Sequence, residues 1–297
     1  MKQIYLSIIA LFTCALGMAQ SADSTVKASA DTTLVPSADS TPPKSSTLTL
    51  GSVYANNASY YGQKSAERMP YIALAAVYQH RSGFYVKGMG YRLLKDTSSW
   101  ASAYSVGAGY SFTLYKSLTA DISYDYCFYP KLSPFLQAAN PHSINLTFSR
   151  EGKVNLSLAG DYAFGKTNDI FVTPQIGKDV NLFSITKKDI VTISPSLDVT
   201  VGTQYFYAYY LEQKNIRDSV LSLVSHVLGG PSPAPKSTTK TTSTFDLLSY
   251  NLKLPLAYNR SHLKLEIAAQ LSLLSNQAQS DPGKLNSFFS ASFYYQF

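Results

Sequence analysis

Charge is scarce in this chain. Only 14% of its 297 residues are Asp, Glu, Lys or Arg, against about a quarter in an ordinary soluble domain. Cysteine is nearly absent, at two residues. Cys14 falls in an N-terminal apolar run, which leaves Cys127 alone and excludes a disulfide-stapled secreted scaffold. After residue 20 no stretch approaches the roughly 18 uninterrupted apolar residues of a spanning helix. A helical membrane protein is therefore excluded, in line with the mean hydropathy of −0.05. Histidine is down to four residues without metal-ligand spacing, so neither metal nor cofactor is expected. A concentrated basic patch is missing too. The 25 Lys+Arg against 18 Asp+Glu give a net charge of +7. These residues are scattered and fall mostly in turns, which suits turn solvation and lipid headgroups rather than nucleic acid.

What the chain has in excess is tyrosine. The aromatic share of 13% is made of 23 Tyr, 15 Phe and one Trp. Tyr combines an apolar ring with a polar tip. The composition suits strands that are apolar on one face and polar on the other.

The N-terminus has the order of an export signal. Met1-Lys2-Gln3 is a short positive start, and the apolar run Ile4 to Leu16 is too short to cross a bilayer. Gly17 and Ala19 put small residues before a cut ahead of Gln20. Residues 1–19 are expected to be a cleaved signal peptide. Cys14 is a poor lipoprotein anchor, because Thr13 stands where a small residue is needed. Residues 20–46 follow as a polar tail in which Ser21-Ala-Asp-Ser-Thr25 recurs at 29–33 and 37–41. Poor in large apolar residues and ending near Pro42-Pro43, the tail is expected to be disordered in the periplasm. Ser24, Thr32 and Ser40 each follow Asp and resemble the O-glycosylation sequon of Bacteroidota, the plainer alternative being a spacer.

From residue 47 the pattern has period two, which is the signature of strands with unlike faces. Over 118–128, Leu118, Ala120, Ile122, Tyr124, Tyr126 and Phe128 take one face, and Thr119, Asp121, Ser123, Asp125 and Cys127 the other. Segments 154–164, 190–204 and 262–273 repeat the pattern. Five short basic breaks stand out: His80-Arg-Ser-Gly83, Tyr115-Lys-Ser117, Arg150-Glu-Gly-Lys153, Thr186-Lys-Lys-Asp189 and Asn259-Arg-Ser-His262. Longer polar stretches lie between them. Short periplasmic turns alternating with longer outer loops are the habit of outer-membrane barrels. The expected fold is a single antiparallel transmembrane β-barrel over 47–297. Its expected strands are 47–55, 69–80, 83–94, 100–114, 118–129, 142–149, 153–164, 169–185, 189–212, 245–258, 262–273 and 286–297. That gives twelve, with ten or fourteen left open because the first three spans alternate poorly and Lys178 faces the wrong way without a bulge at Gly177. The chain ends on Phe297, with Phe293 and Tyr295 on the same face. This resembles the terminal signature read by the barrel assembly machinery, so that machinery, periplasmic chaperones and outer-membrane lipid are the expected partners. Oligomeric state stays open.

The segments Tyr60-Tyr-Gly-Gln63, Pro134-Phe-Leu-Gln-Ala-Ala-Asn-Pro141, Asp246-Leu-Leu-Ser-Tyr250 and Ser292-Phe-Tyr-Tyr-Gln-Phe297 resemble an uncharacterised family of Bacteroidota outer-membrane β-barrels. The resemblance implies fold and compartment and transfers no catalytic residue.

Candidate lumen charges follow from the alternation. Asp121, Asp125, Asp161, Asp179 and Asp198 form one wall, with Lys87, Lys253, Lys264 and Glu266 elsewhere on the bore. Opposed charges make a constriction of the porin type. Paired, they make a sealed lumen. A passive pore for small hydrophilic solutes or ions is the leading reading, and a closed, partner-binding or structural barrel the alternative. A barrel hydrolase comes third, since no Ser stands at a convincing cross-strand position from any His. In loop 213–244, Ile216, Val220, Leu221, Val224, Val227 and Leu228 recur at helical spacing before Gly229-Gly230-Pro231, so a helix is expected there. The topology is testable: a tag at Ser232 is expected to be accessible on intact cells and one at Ser117 is not. Labelling of the second alone would invert the orientation.

Overall fold

The computed structural model describes residues 45–95, 101–131, 133–227 and 245–297, with side chains left out over 218–227. The expected signal peptide, the tail up to residue 44 with Ser24, Thr32 and Ser40, and loop residues 228–244 lie outside the described residues.

The strands are β1 (Thr47–Ala55), β2 (Tyr71–Gln79), β3 (Phe84–Leu93), β4 (Ala103–Tyr115), β5 (Leu118–Phe128), β6 (His142–Arg150) and β7 (Asn155–Phe164). They continue as β8 (Asn168–Gly177), β9 (Val180–Phe183), β10 (Asp189–Ile193), β11 (Ser196–Gly202), β12 (Asp246–Arg260), β13 (Leu263–Leu274) and β14 (Leu285–Gln296). β9 prolongs β8 and β10 leads into β11, so these segments fill twelve antiparallel positions of the wall. β1 pairs with both β2 and β14, and β11 joins β8 to β12, which closes the barrel. Closure leaves no ladder edge in the barrel body, as hydrocarbon requires. Outward side chains are apolar. Ile72, Leu74 and Tyr78 of β2 and Leu265, Ile267 and Leu271 of β13 are all exposed. Burial alternates residue by residue along β2, as the pleat dictates.

Two expectations need correction. The ninth strand does not run to 212. It stops at Gly202, and helix α1 (Tyr205–Val227) begins three residues on. The run Tyr205-Phe206-Tyr207 reads as strand by propensity, but a tertiary cap described below turns it into a helix start. The eighth strand is broken: Lys178 and Asp179 separate β8 from β9, opposite Ser194 and Pro195. The irregularity expected at Gly177 thus falls one residue later, and Lys178 is left exposed. The poor alternation of the first three spans has a physical cause. Ala55, Ala73, Ala75, Met89 and Leu93 face the bore and pack with Ala58, Met69 and Phe135 of the 56–70 and 129–141 loops into a dry cluster. Both faces are apolar there because the bore itself is filled.

The terminal residue closes the seam. Phe297 N donates to Leu48 O at 2.9 Å, and Leu48 N to Phe297 O at 3.4 Å. Phe293, Tyr295 and Phe297 all point outward. Deleting Phe297 is expected to slow or abolish insertion while export continues. Heat-modifiability on gels reads this, and a full yield of inserted barrel would show that the terminal aromatic is dispensable.

Candidate functional site

The bore is crossed by a two-residue turn from the loop between β1 and β2. Tyr60 N donates to Gln63 O at 2.8 Å and Gln63 N to Tyr60 O at 3.0 Å. Tyr61 and Gly62 take φ of 50° and 76°. Two consecutive positive φ values make a tight hairpin turn of the primed kind. Glycine suits the second position. At the first, a non-glycine residue in this region is strained by about 1–2 kcal/mol, so packing must hold it there. A larger residue at 62 must displace its neighbours slightly, since an added Cβ would stand 2.7 Å from Asn251 Oδ1 and 3.0 Å from Ser272 Cβ.

One side of the recess is aromatic. Tyr61 lies flat on Phe171 with ring centroids 3.8 Å apart. Tyr60 meets Phe206 of α1 edge-on at 4.8 Å. The other side is hydroxyl and amide. Ser249 Oγ donates to Tyr61 O at 2.9 Å, Asn286 Nδ2 to Gly62 O at 3.1 Å, and Ser280 Oγ to Gln63 Oε1 at 3.0 Å. Tyr61 also hydrogen-bonds Asp161 through its side chain, and Asn145 donates to the same carboxylate.

Above the turn, α1 acts as a cover. Tyr210 OH accepts from Ala66 N at 2.9 Å, and Arg217 pairs with Glu67 at 3.0 Å. Burial, and then the neighbouring Tyr210 and Asp281, hold the Tyr207 phenol above its ordinary pKa. The helix is fixed at its start by Asp169 of β8, which is fully buried. Its carboxylate accepts from Tyr205 N at 2.7 Å, Phe206 N at 2.9 Å, Thr203 Oγ1 at 2.8 Å, Asn140 Nδ2 at 2.7 Å and Thr167 Oγ1 at 3.1 Å. Two donors are the free N–H groups of the helix N-terminus, whose dipole also favours an anion. Sequence reasoning missed Asp169 because the cap comes from a strand 36 residues earlier, not from the local residue that capping rules inspect.

The expected lumen charges do face the bore, but they meet neighbours. Lys87 pairs with Asp125 at 2.8 Å, Lys253 with Asp198 at 2.8 Å and Lys264 with Glu266 at 2.7 Å. The first pair spans β4. Gly107 lies between the two residues in register, and an added Cβ there would stand 2.2 Å from Asp125. Asp121 accepts from Tyr85 OH at 2.9 Å and from Ser111. Asp179 accepts from Asn155, the first residue of β7, so it lies near the rim at which β7 begins. The β9 segment that follows it pairs only with β10, beyond the barrel body. The Asp198–Lys253 pair is the most enclosed, with the Asp198 side chain at 0% exposure. Removing one partner there costs about 3–5 kcal/mol.

Among the described residues no cluster could hold a metal ion. His142 hydrogen-bonds Tyr124 at 2.8 Å, and His80 bonds Ser82 at 2.9 Å within an exposed turn. Neither contact includes a carboxylate.

No family model and no curated protein matches the chain. Solved structures that resemble it include the KdgM porin, at 10% identity and a TM-score of 0.46, covering 84% of this chain and 99% of that one. An outer membrane channel from Pseudomonas putida F1 covers 86% and 96%, at 11% identity and a TM-score of 0.44. LpxR from Salmonella typhimurium covers 84% and 99%, at 9% identity and a TM-score of 0.43. These likenesses are of barrel to barrel, and the fold itself rests on the strand pairing above.

Asp169→Asn is expected to loosen α1, since an amide offers one acceptor oxygen where five donors converge. Orphaned buried donors cost about 1–3 kcal/mol each. Limited proteolysis on intact cells should cut between 205 and 245 at least about tenfold faster, a change of only ~1.4 kcal/mol. An unchanged digest would show that the cap is not needed.

Proposed function

We propose that the chain is an outer-membrane β-barrel channel for small hydrophilic solutes or ions, held shut at its outer mouth by the 60–63 turn. The turn is the observation that carries this reading. It occupies the bore as a separate loop, tied by side chains rather than by a continuing ladder. The wall it meets is small and polar at Ser249 and Ser272, which favours a passage once the turn and the loop that carries it move aside. An apolar exterior, short turns at one end and the terminal aromatic strand support the membrane placement, and the export signal supports the compartment.

Of the candidate lumen charges six are carboxylates and three are lysines, so an open bore favours cations. A second reading, a closed barrel that binds a partner or anchors an assembly, is favoured by the buried Asp198–Lys253 pair and by α1 lying over the mouth.

Planar-bilayer recording of the refolded, heat-modifiable protein separates the two. The wild type is expected to stay mostly closed with discrete openings. Replacing residues 59–64 with Gly-Gly is expected to give steady conductance with a cation preference that Asp161→Lys weakens. Silence from both folded forms would replace the channel with the closed barrel.

A further inference from the structure

The 60–63 turn sits in its recess as a ligand would, and it satisfies the recess incompletely. Asn251 and Asn286 are each 1% exposed. Their Oδ1 atoms have no hydrogen-bond partner among the described residues. Neither amide gains by turning over. Asn251 Nδ2 donates to Asp198 Oδ1 at 2.7 Å and to Ser249 Oγ at 3.1 Å, and Asn286 Nδ2 donates to a carbonyl. Asn251 Oδ1 stands 2.7 Å from where a Cβ on Gly62 would lie, so it adjoins the turn at its tip. Buried amide oxygens are ordinarily satisfied, so the wall offers acceptors that its own plug cannot use.

We infer that this recess is a ligand site, occupied by the chain's own turn in the closed state, and that its ligand is a neutral pyranose. The inference rests on the plugged-channel reading. A pyranose has a flat C–H face to replace the Tyr61 ring on Phe171. Its oxygens accept from Ser249, Asn286 and Ser280, the three donors that now hold the turn. Its hydroxyl hydrogens are donors of the kind that Asp161 and the two idle amide oxygens accept. A phenol matches the stacking but brings one donor. An open-chain polyol brings donors but no face. A uronate sets its carboxylate against Asp161, whose donors Asn145 and Tyr61 are neutral. Ligand and turn compete for one place, so binding and opening are a single equilibrium.

The test uses Gly62→Cys with Ser272→Cys in a Cys127→Ser background. The Cβ built on Gly62 lies 3.0 Å from Ser272 Cβ, just short of the roughly 3.5–4.5 Å of a disulfide, so a small outward shift of the seated turn lets a mild oxidant close the bond. Closure is timed on folded, heat-modifiable protein with glucose, sorbitol or glucuronate added. Glucose at saturation is expected to slow closure at least about threefold by holding the turn away. Sorbitol and glucuronate are expected to leave it unchanged, and Phe171→Ala to abolish the glucose effect. Equal rates with all three solutes overturn the ligand assignment and leave the plugged channel standing, because the disulfide still reports the seated turn. A pair that never closes in an inserted barrel shows that the substituted turn does not seat, and passes the test to the wild type. Gly62 has a φ of 76°, so a Cys there can fail to insert. The wild type then carries the test. Glucose is expected to raise the frequency of openings and sorbitol is not, and equal responses overturn the assignment.

Discussion

The structure depends on one constraint: every backbone group in the wall must find its partner within the wall. Water is absent from hydrocarbon, so an open ladder edge cannot persist there. The β1–β14 pairing meets that need and fixes the rest. It joins the two ends of the described chain at one rim, and it sets the bore of a twelve-position barrel. A bore of that size can be filled by side chains and a loop or two. The polar face of each strand is therefore enclosed, and each charge on it has to be satisfied at short range.

The lumen answers this in two ways along its length. On its lower course the polar side chains serve one another, as in the Lys264–Glu266 and Lys87–Asp125 pairs. Toward the outer mouth the wall turns apolar or small, and the 56–70 and 129–141 loops and α1 fold in to cover it. Asp169 ties that cover together. One buried carboxylate holds the helix start, the 140–141 corner through Asn140 and the strand connection at Thr167. The turn at 60–63 is held by three side-chain donors, Asp161 and the ring contacts of Tyr60 and Tyr61 with Phe171 and Phe206. A strained Tyr61 and two unmatched amide oxygens oppose it. On the proposed reading the Asp169-tied cover is the frame of a gate and the turn is its bolt.

Much of this was legible in the residues. Segments 118–128, 154–164 and 262–273 alternate because one face meets lipid and the other a polar bore, and β5, β7 and β13 lie there. The lumen position of Asp125, Asp161, Asp198 and Lys253 followed from the same parity. Their partners did not, because Lys87 reaches Asp125 only across Gly107 of an intervening strand. The turn motif at 60–63 stood out as a string of letters without a stated role, since nothing local says whether a loop stands outside a barrel or folds into it.

Period-two patterning, short turns and the terminal aromatic strand determined the closed antiparallel barrel, because lipid on one side of a wall imposes a regularity that any single strand displays. The contents of the bore were decided only by the tertiary structure. Asp169 caps a helix it precedes by 36 residues, and Ser249 and Asn286 grip a turn about 190 and 220 residues before them. Contacts of that kind depend on which strands closure brings to face each other, and no local period in the chain records that.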